Sequence, residues 1–290
     1  MTDNAEGSVS VIDTASRTLI KKIFVDTLPE GVAVSPNGRV AYVSNRSSKT
    51  ISVIDTRRNA VTDTIIVTGR PAGIAFAPTG SVAYVSTQIV NVVSIVDTTT
   101  NRIVGSIPVG DEPEGVVFTP DGALAYVTNQ VADTVSVIDT AAQHVIATIP
   151  VGNNPEGVVV TPDGASVYVT NEFSDTVTRI SIASQTTTGN IPAGGGPEDL
   201  ALTPDGTTAY ITNYSANTVS VLDLTSNLLI ATVPVGGQPG DVAITPDGAF
   251  AYVTNTFSNN VSVIDTATNQ PVGSIAVGET PNSIAIGTIR

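Results

Sequence analysis

A fixed period of 42 residues, four short apolar runs in each period, and a composition rich in Val, Ile, Thr, Gly and Pro predict an all-β fold. The expected architecture is a seven-bladed β-propeller with four strands per blade, filling residues 1–290 as a single domain.

The period is marked by a turn. It recurs as Ser35-Pro36-Asn37-Gly38, as Ala77-Pro78-Thr79-Gly80, and as Thr-Pro-Asp-Gly from Thr119, Thr161, Thr203 and Thr245, always 42 residues apart. Pro presets the turn, Asp or Asn follows, and Gly supplies the positive φ of a type I turn with a bulge. Around it, the unit from Glu114 to Val151 holds runs at 115–118, 125–129, 134–139 and 145–151, each of strand length and composition. Asp139-Thr140 and its counterparts make the next turn by side-chain to backbone bonding, so these aspartates read as structural rather than catalytic.

The third-strand motif occurs seven times, beginning near Ser8, Thr50, Val92, Thr134, Thr176, Thr218 and Val261, whereas the full second strand occurs six times. Seven units of 42 make 294 positions, about four more than the 290 present. The chain is therefore expected to begin and end inside one blade, with 281–287 as its inner strand and 8–26 as its outer two. Pairing between the chain ends then shuts the ring.

Acidic residues outnumber basic ones 26 to 12, for a net charge of −14, which disfavours nucleic acid and anionic membranes as partners. There is no cysteine, hence no disulfide, thiolate metal site or Cys nucleophile. No run is long and apolar enough to span a membrane, no signal peptide is visible, and neither a haem-attachment sequence nor a Gly-rich dinucleotide fingerprint occurs.

Tyr126-Val127-Thr128-Asn129, Tyr210-Ile211-Thr212-Asn213 and Tyr252-Val253-Thr254-Asn255, with the recurrent Val-Ile-Asp-Thr and Pro-Val-Gly, resemble the YVTN-type β-propeller repeats along the whole chain. Such repeats occur in surface-layer and other exported proteins of bacteria and archaea, so the resemblance implies a cell-envelope or secreted setting. It implies no particular reaction.

In propellers the loop leading into each inner strand and the loop between the second and third strands share the channel mouth. After the proline of the first loop stand Glu30, Ala72, Glu114, Glu156, Glu198, Gly240 and Asn282. After the second strand stand Arg46, Gln88, Gln130, Glu172, Tyr214, Thr256 and Asn4, with Arg70 nearby. Carboxylates crowded in a low-dielectric mouth raise one another's pKa or attract a cation. The candidate ligand-binding set is therefore Glu30, Arg46, Arg70, Gln88, Glu114, Gln130, Glu156, Glu172, Glu198 and Tyr214. The competing reading of each Glu is a loop residue that bonds a neighbouring backbone or is simply solvated.

No resident cofactor is expected, with a divalent cation as the exception the carboxylates allow. The function expected is a binding propeller for a small polar ligand, a cation or a protein partner. The alternative is a lyase- or hydrolase-like enzyme using Glu, Arg and Tyr for acid–base chemistry.

His144, the sole histidine, is expected in a turn at the rim, where it can complete neither a triad nor a three-ligand metal site. Arg179 replaces an apolar third-strand residue and is expected to pair with Glu172 or Asp175, or to mark a contact surface. Pro108, Pro150, Pro192 and Pro234 guard four outer strands, whereas Ala276, Phe24 and Ile66 leave a contiguous arc unguarded, a surface for self-association or a partner.

Overall fold

The computed structural model describes residues 1–288 as seven antiparallel sheets in which strands follow one another in chain order. It is a seven-bladed propeller. In one blade the strands run Pro113–Phe118, Leu124–Asn129, Thr134–Asp139 and His144–Pro150 from channel to rim. The only helical element among the described residues is a 3-10 turn at Glu172–Ser174, and no helix is long and apolar enough to cross a membrane.

The turn chemistry is as the sequence requires. Gly122 sits at φ 72° and donates its N–H to the Thr119 carbonyl, while Asp121 Oδ1 accepts from the Thr119 hydroxyl and the Ala123 N–H. Asp139 Oδ1 likewise accepts from the Ala141 and Ala142 N–H groups, which accounts for the repeated aspartates without catalysis.

The apolar core lies between blades. The second-strand tyrosines Tyr42, Tyr84, Tyr126, Tyr168, Tyr210 and Tyr252 are all at most 1% exposed, and each enters a cluster shared with the next blade. Tyr84, for example, meets Phe118 at 4.6 Å between ring centroids. Burying such a ring contributes about 2–3 kcal/mol, so the blade interfaces hold the ring together.

A hydroxyl clasp repeats round the mouth. Thr128 Oγ1 accepts from the Gly115 N–H of its own blade and donates to the Glu156 carbonyl of the next, at 2.8 and 2.7 Å. Ser44, Thr170, Thr212, Thr254 and, in the closing blade, Thr2 do the same across their own junctions. The clasp sits where each inner strand bulges between its proline and its first buried valine, and this bulge turns the Glu toward the channel. Gly115 is required there, because a Cβ would stand 2.7 Å from the Glu156 carbonyl oxygen.

The closing blade departs from expectation at its inner strand. Ser8–Asp13 and Thr18–Phe24 are regular, but the second strand is only Thr2–Asp3. With so short a partner, 281–287 pairs just at its start, through the Asp3–Pro281 bridge and the Thr2–Ser283 and Asn282–Thr2 backbone bonds, and is not a strand beyond. Hydrogen exchange is therefore expected to be fastest in this blade, at 281–287; uniform protection of all seven blades contradicts that.

Three further sequence expectations change in detail. His144 is the exposed first residue of an outer strand rather than part of a turn. Arg179 does not reach Glu172 or Asp175, because it lies midway along Thr176–Ser181, opposite Tyr168, on the far side of the blade from the mouth loop. Its guanidinium instead donates to Ser166 Oγ at 3.0 and 3.1 Å and stands 5.9 Å from the Tyr168 ring centroid. The last third strand begins at Asn260, one residue before Val261.

The carboxylate mouth of the channel

Glu30, Glu114, Glu156 and Glu198 line one cavity of about 320 Å³ at the channel, joined there by Asp199, Asp241 and Asn282. Each Glu is carried by an inner-strand bulge, so four blades present the same side chain at the same height. The second-strand loops supply the groups that meet them. Gln88 Nε2 donates to Glu114 Oε2 at 2.7 Å, and Gln130 Nε2 donates to both oxygens of Glu156 at 2.7 Å. The residue after one blade's second strand thus satisfies the Glu of the following blade.

The other five junctions lack this pairing, and two of them alter the charge of the mouth. Arg46 would meet Ala72, which has no acceptor, and turns back to its own blade's Glu30 at 3.1 Å. Glu172 stands where Gln88 and Gln130 stand, so Glu198 faces a carboxylate instead of an amide donor. Among the described residues Glu198 has no hydrogen-bond partner in its carboxylate. Glu172 keeps one, Asn154, whose Nδ2 donates to Glu172 Oε2 at 2.6 Å and to Glu156 Oε1 at 2.7 Å.

The electrostatics follow from this arrangement. Burial, then the charges of Glu156 and Glu172, push Glu198 up to about 8. Burial pushes Glu156 up to about 7 against the Gln130 hydrogen bonds. Glu114 is raised well above the carboxylate range by burial and by Glu30 and Glu156, whereas Glu30 is raised less because Arg46 and Arg70 oppose its burial. Arg70 itself is exposed at the edge of the mouth and makes no ion pair among the described residues. Tyr214 is half-buried, its hydroxyl pushed up by burial and by the charges of Glu198 and Glu172.

Of the ten expected residues, Glu30, Glu114, Glu156 and Glu198 line the cavity, Arg46, Gln88 and Gln130 hydrogen-bond to them, Glu172 shares Asn154 with Glu156, and Tyr214 and Arg70 are linked to the carboxylates by charge alone. Three were not anticipated. Asn154 bridges two of the carboxylates. Asp199 and Asp241 occupy the place that Gly31, Gly73, Gly115 and Gly157 hold in other blades, so the signal was present as a break in a glycine repeat. Asp199 is raised well above the carboxylate range, by burial first and then by the charge of Asp241 and a hydrogen bond to it. The neighbouring Asp241 charge thus disfavours ionisation of Asp199. Asp241 Oδ2 also accepts from the Ser283 hydroxyl and the Ile284 N–H, both at 2.8 Å.

Among the described residues no group of three or more Asp, Glu or His is arranged round a single point as a metal cage. The carboxylates ring the channel instead of converging.

Two family models match parts of the sequence: YNCE-like beta-propeller over residues 80–166, and Lactonase, 7-bladed beta-propeller, over residues 186–280. The chain is a β-propeller by sequence as well as by fold. Among solved structures, this propeller is similar to a chain of Kuenenia stuttgartiensis hydrazine synthase, with 29% identity over 91% of each chain and a TM-score of 0.84. It also resembles a functionally unknown protein from Desulfotomaculum acetoxidans, at 17% identity over 98% and 96% of the two chains and a TM-score of 0.87, a likeness of fold alone. No curated protein matches. The lactonase match spans the stretch of the propeller that carries Glu198, Asp199, Tyr214 and Asp241, and the YNCE-like match the stretch that carries Gln88, Glu114, Gln130 and Glu156.

Proposed function

We propose that the propeller is a binding module whose channel mouth takes a small polar ligand through a positively charged or strongly hydrogen-bond-donating group, centred on Glu198 and Glu172. The observation that carries this reading is the missing donor. Two sister junctions hold their Glu with a glutamine amide, and here the amide is replaced by a second carboxylate. A cation or a multiple N–H donor supplies what the fold leaves out, and the absence of a three-carboxylate cage favours an extended organic cation over a bare divalent ion.

Thermal melting with arginine, spermidine and calcium chloride at matched ionic strength tests this at pH 9, above the value of about 8 to which Glu198 is pushed. Arginine or spermidine at a hundred times its dissociation constant is expected to stabilise by about 2.7 kcal/mol, and the Glu172→Gln/Glu198→Gln variant to lose that shift while still folding. Equal shifts in the variant and the parent sink the proposal.

A second reading is favoured by Glu198 and Glu156, raised to about 8 and about 7. A neutral Glu198 beside an ionised carboxylate is a general acid paired with a base, a pair that can assist hydrolysis of a cyclic ester, the reaction the lactonase family name denotes. A bell-shaped pH profile for lactone opening, lost in Glu198→Gln, distinguishes an enzyme from a binder.

The unguarded arc of the rim is a proposed self-association surface. Phe24 and Ile66 are 74% and 81% exposed there, in neighbouring blades, with Ala276 exposed alongside. Purely monomeric elution at millimolar concentration rules that out.

A further inference from the structure

At the mouth, the residue after one blade's second strand faces the residue after the next blade's inner-strand proline. Two of these junctions are complete, Gln88 donating to Glu114 and Gln130 to Glu156. Two others carry an unbalanced charge, in opposite senses. Glu172 and Glu198 bring two acceptors and no donor, whereas Arg46 brings a cationic donor to Ala72, which offers no acceptor. These two junctions are three blades apart in a ring of seven, so they stand across the channel from each other.

The Arg46 donor is largely unspent. Its one side-chain hydrogen bond among the described residues runs from Nη1 to Glu30 Oε1 at 3.1 Å, and Glu30 Oε2 is buried without any donor. The pair is therefore held through a single contact. A guanidinium carries several N–H donors in a planar fork suited to a carboxylate, and the Arg46 side chain remains 33% exposed.

The blade that lacks the Glu is also the one whose mouth loops are rebuilt. In the four blades that follow, a Gly and an Asn bracket the loop leading into the inner strand, as Gly110 and Asn129 do; here Thr68 and Thr87 stand in their places. The residue before the proline is left-handed in the six other blades, as at Glu112 with φ 50° and Asn154 with φ 53°. Here it is Arg70, which joins the strand ladder opposite Gln88, while Gly69 takes the turn at φ 120°. Beside it Ile89 sits at φ 73°, a conformation that β-branched residues rarely adopt. Arg70 is thus carried on a strand, and its charge acts on Glu30. The mouth is bipolar, with Arg46 and Arg70 on one side and Glu156, Glu172 and Glu198 on the other.

We propose that the ligand of this mouth is a zwitterion that spans it, an amino acid of the arginine type. Its cationic end supplies the donor missing at Glu172 and Glu198, and its carboxylate supplies the acceptor missing opposite Arg46, with Arg70 alongside. This names the class of ligand for the cation site proposed above and rests on that reading.

The test compares arginine with agmatine, the same molecule without its carboxylate, by calorimetric titration of the full chain at pH 9 and constant ionic strength. Arginine is expected to bind about tenfold more tightly, through charge-assisted hydrogen bonds that agmatine cannot make. An acidic mouth without a receptor for the carboxylate favours agmatine instead, because agmatine carries the larger positive charge. Arg46→Met should abolish the preference for arginine, and so should Ala72→Glu, which completes the junction from within the chain. Arg58→Met, in a turn on the face away from the mouth, should leave it intact and so controls for net charge. The two ligands on the parent protein decide the matter even if a variant folds poorly. Agmatine binding as tightly as arginine overturns the zwitterion and leaves the cation site standing, and a preference that survives in Arg46→Met overturns it as well. Binding of neither ligand removes the cation site and this inference with it.

Discussion

Raising the pH from 5 to 9 is expected to destabilise this protein, the reverse of what a surface rich in salt-bridged carboxylates does. Glu198 at about 8 and Glu156 at about 7 bind a proton more tightly when folded than in the unfolded chain. Their contribution is fully present below the unfolded value near 4.5 and is lost as pH rises through the folded values. Glu114 and Asp199 are raised for the same reason and add to the fall. The buried Met1 ammonium, lowered to about 6, works in the opposite direction between pH 6 and 8, but it is one group against four. The turn aspartates Asp121, Asp163, Asp205 and Asp247 are lowered by their hydrogen bonds, so their stabilisation is already complete at pH 5.

Because the mouth carboxylates share one another's repulsion, the net loss is smaller than the sum of their separate titrations, about 3 kcal/mol, or about 5 °C in melting temperature for a chain of this length. Glu198→Gln should flatten the profile, and Glu172→Gln should flatten it partly, by restoring the amide that Gln88 and Gln130 provide elsewhere. A melting temperature that rises from pH 5 to 9 contradicts the assignment.

The fold was legible because a repeat multiplies weak signals. One Pro-x-Gly turn is a common event, but six in register every 42 residues leave one architecture, and the tyrosine on six of the second strands falls into the same interface each time. The mouth was legible for a related reason: Glu30, Glu114, Glu156 and Glu198 occupy equivalent places, so their arrangement round one channel follows from ring geometry alone. What sequence did not reveal depends on contacts across the ring. Asn154 sits in a loop whose reach to both Glu156 and Glu172 is set by backbone at positive φ. Arg179 was misplaced because proximity in sequence to Glu172 and Asp175 says nothing of height along a strand, and four residues on a strand span about 13 Å. Asp199 and Asp241 stand one position beyond the residue that follows each proline, where a single break in a glycine repeat is a weaker signal than four equivalent glutamates.

Asp241 is expected to be the most sensitive of these residues, since it fastens the last inner strand where a β-partner is missing. Its Oδ2 accepts the Ser283 hydroxyl and the Ile284 N–H at 2.8 Å each, and beyond Ser283 the segment has no strand ladder. Asp241→Leu removes both bonds. At about 1.5 kcal/mol apiece for hydrogen bonds to a charged group, the loss is about 3 kcal/mol, and it should appear first as accelerated amide exchange at 281–287. Asp241→Asn separates the two roles of the side chain: its amide oxygen still receives Ser283 and Ile284, while the charge that raises Asp199 is removed. That variant should match the parent at pH 5 and exceed it in melting temperature at pH 9, because the charge that opposes ionisation of Asp199 is gone. Equal sensitivity of the Leu and Asn variants at pH 9 would mean that charge at this position, and not the tether to the closing strand, governs how the ring is held shut.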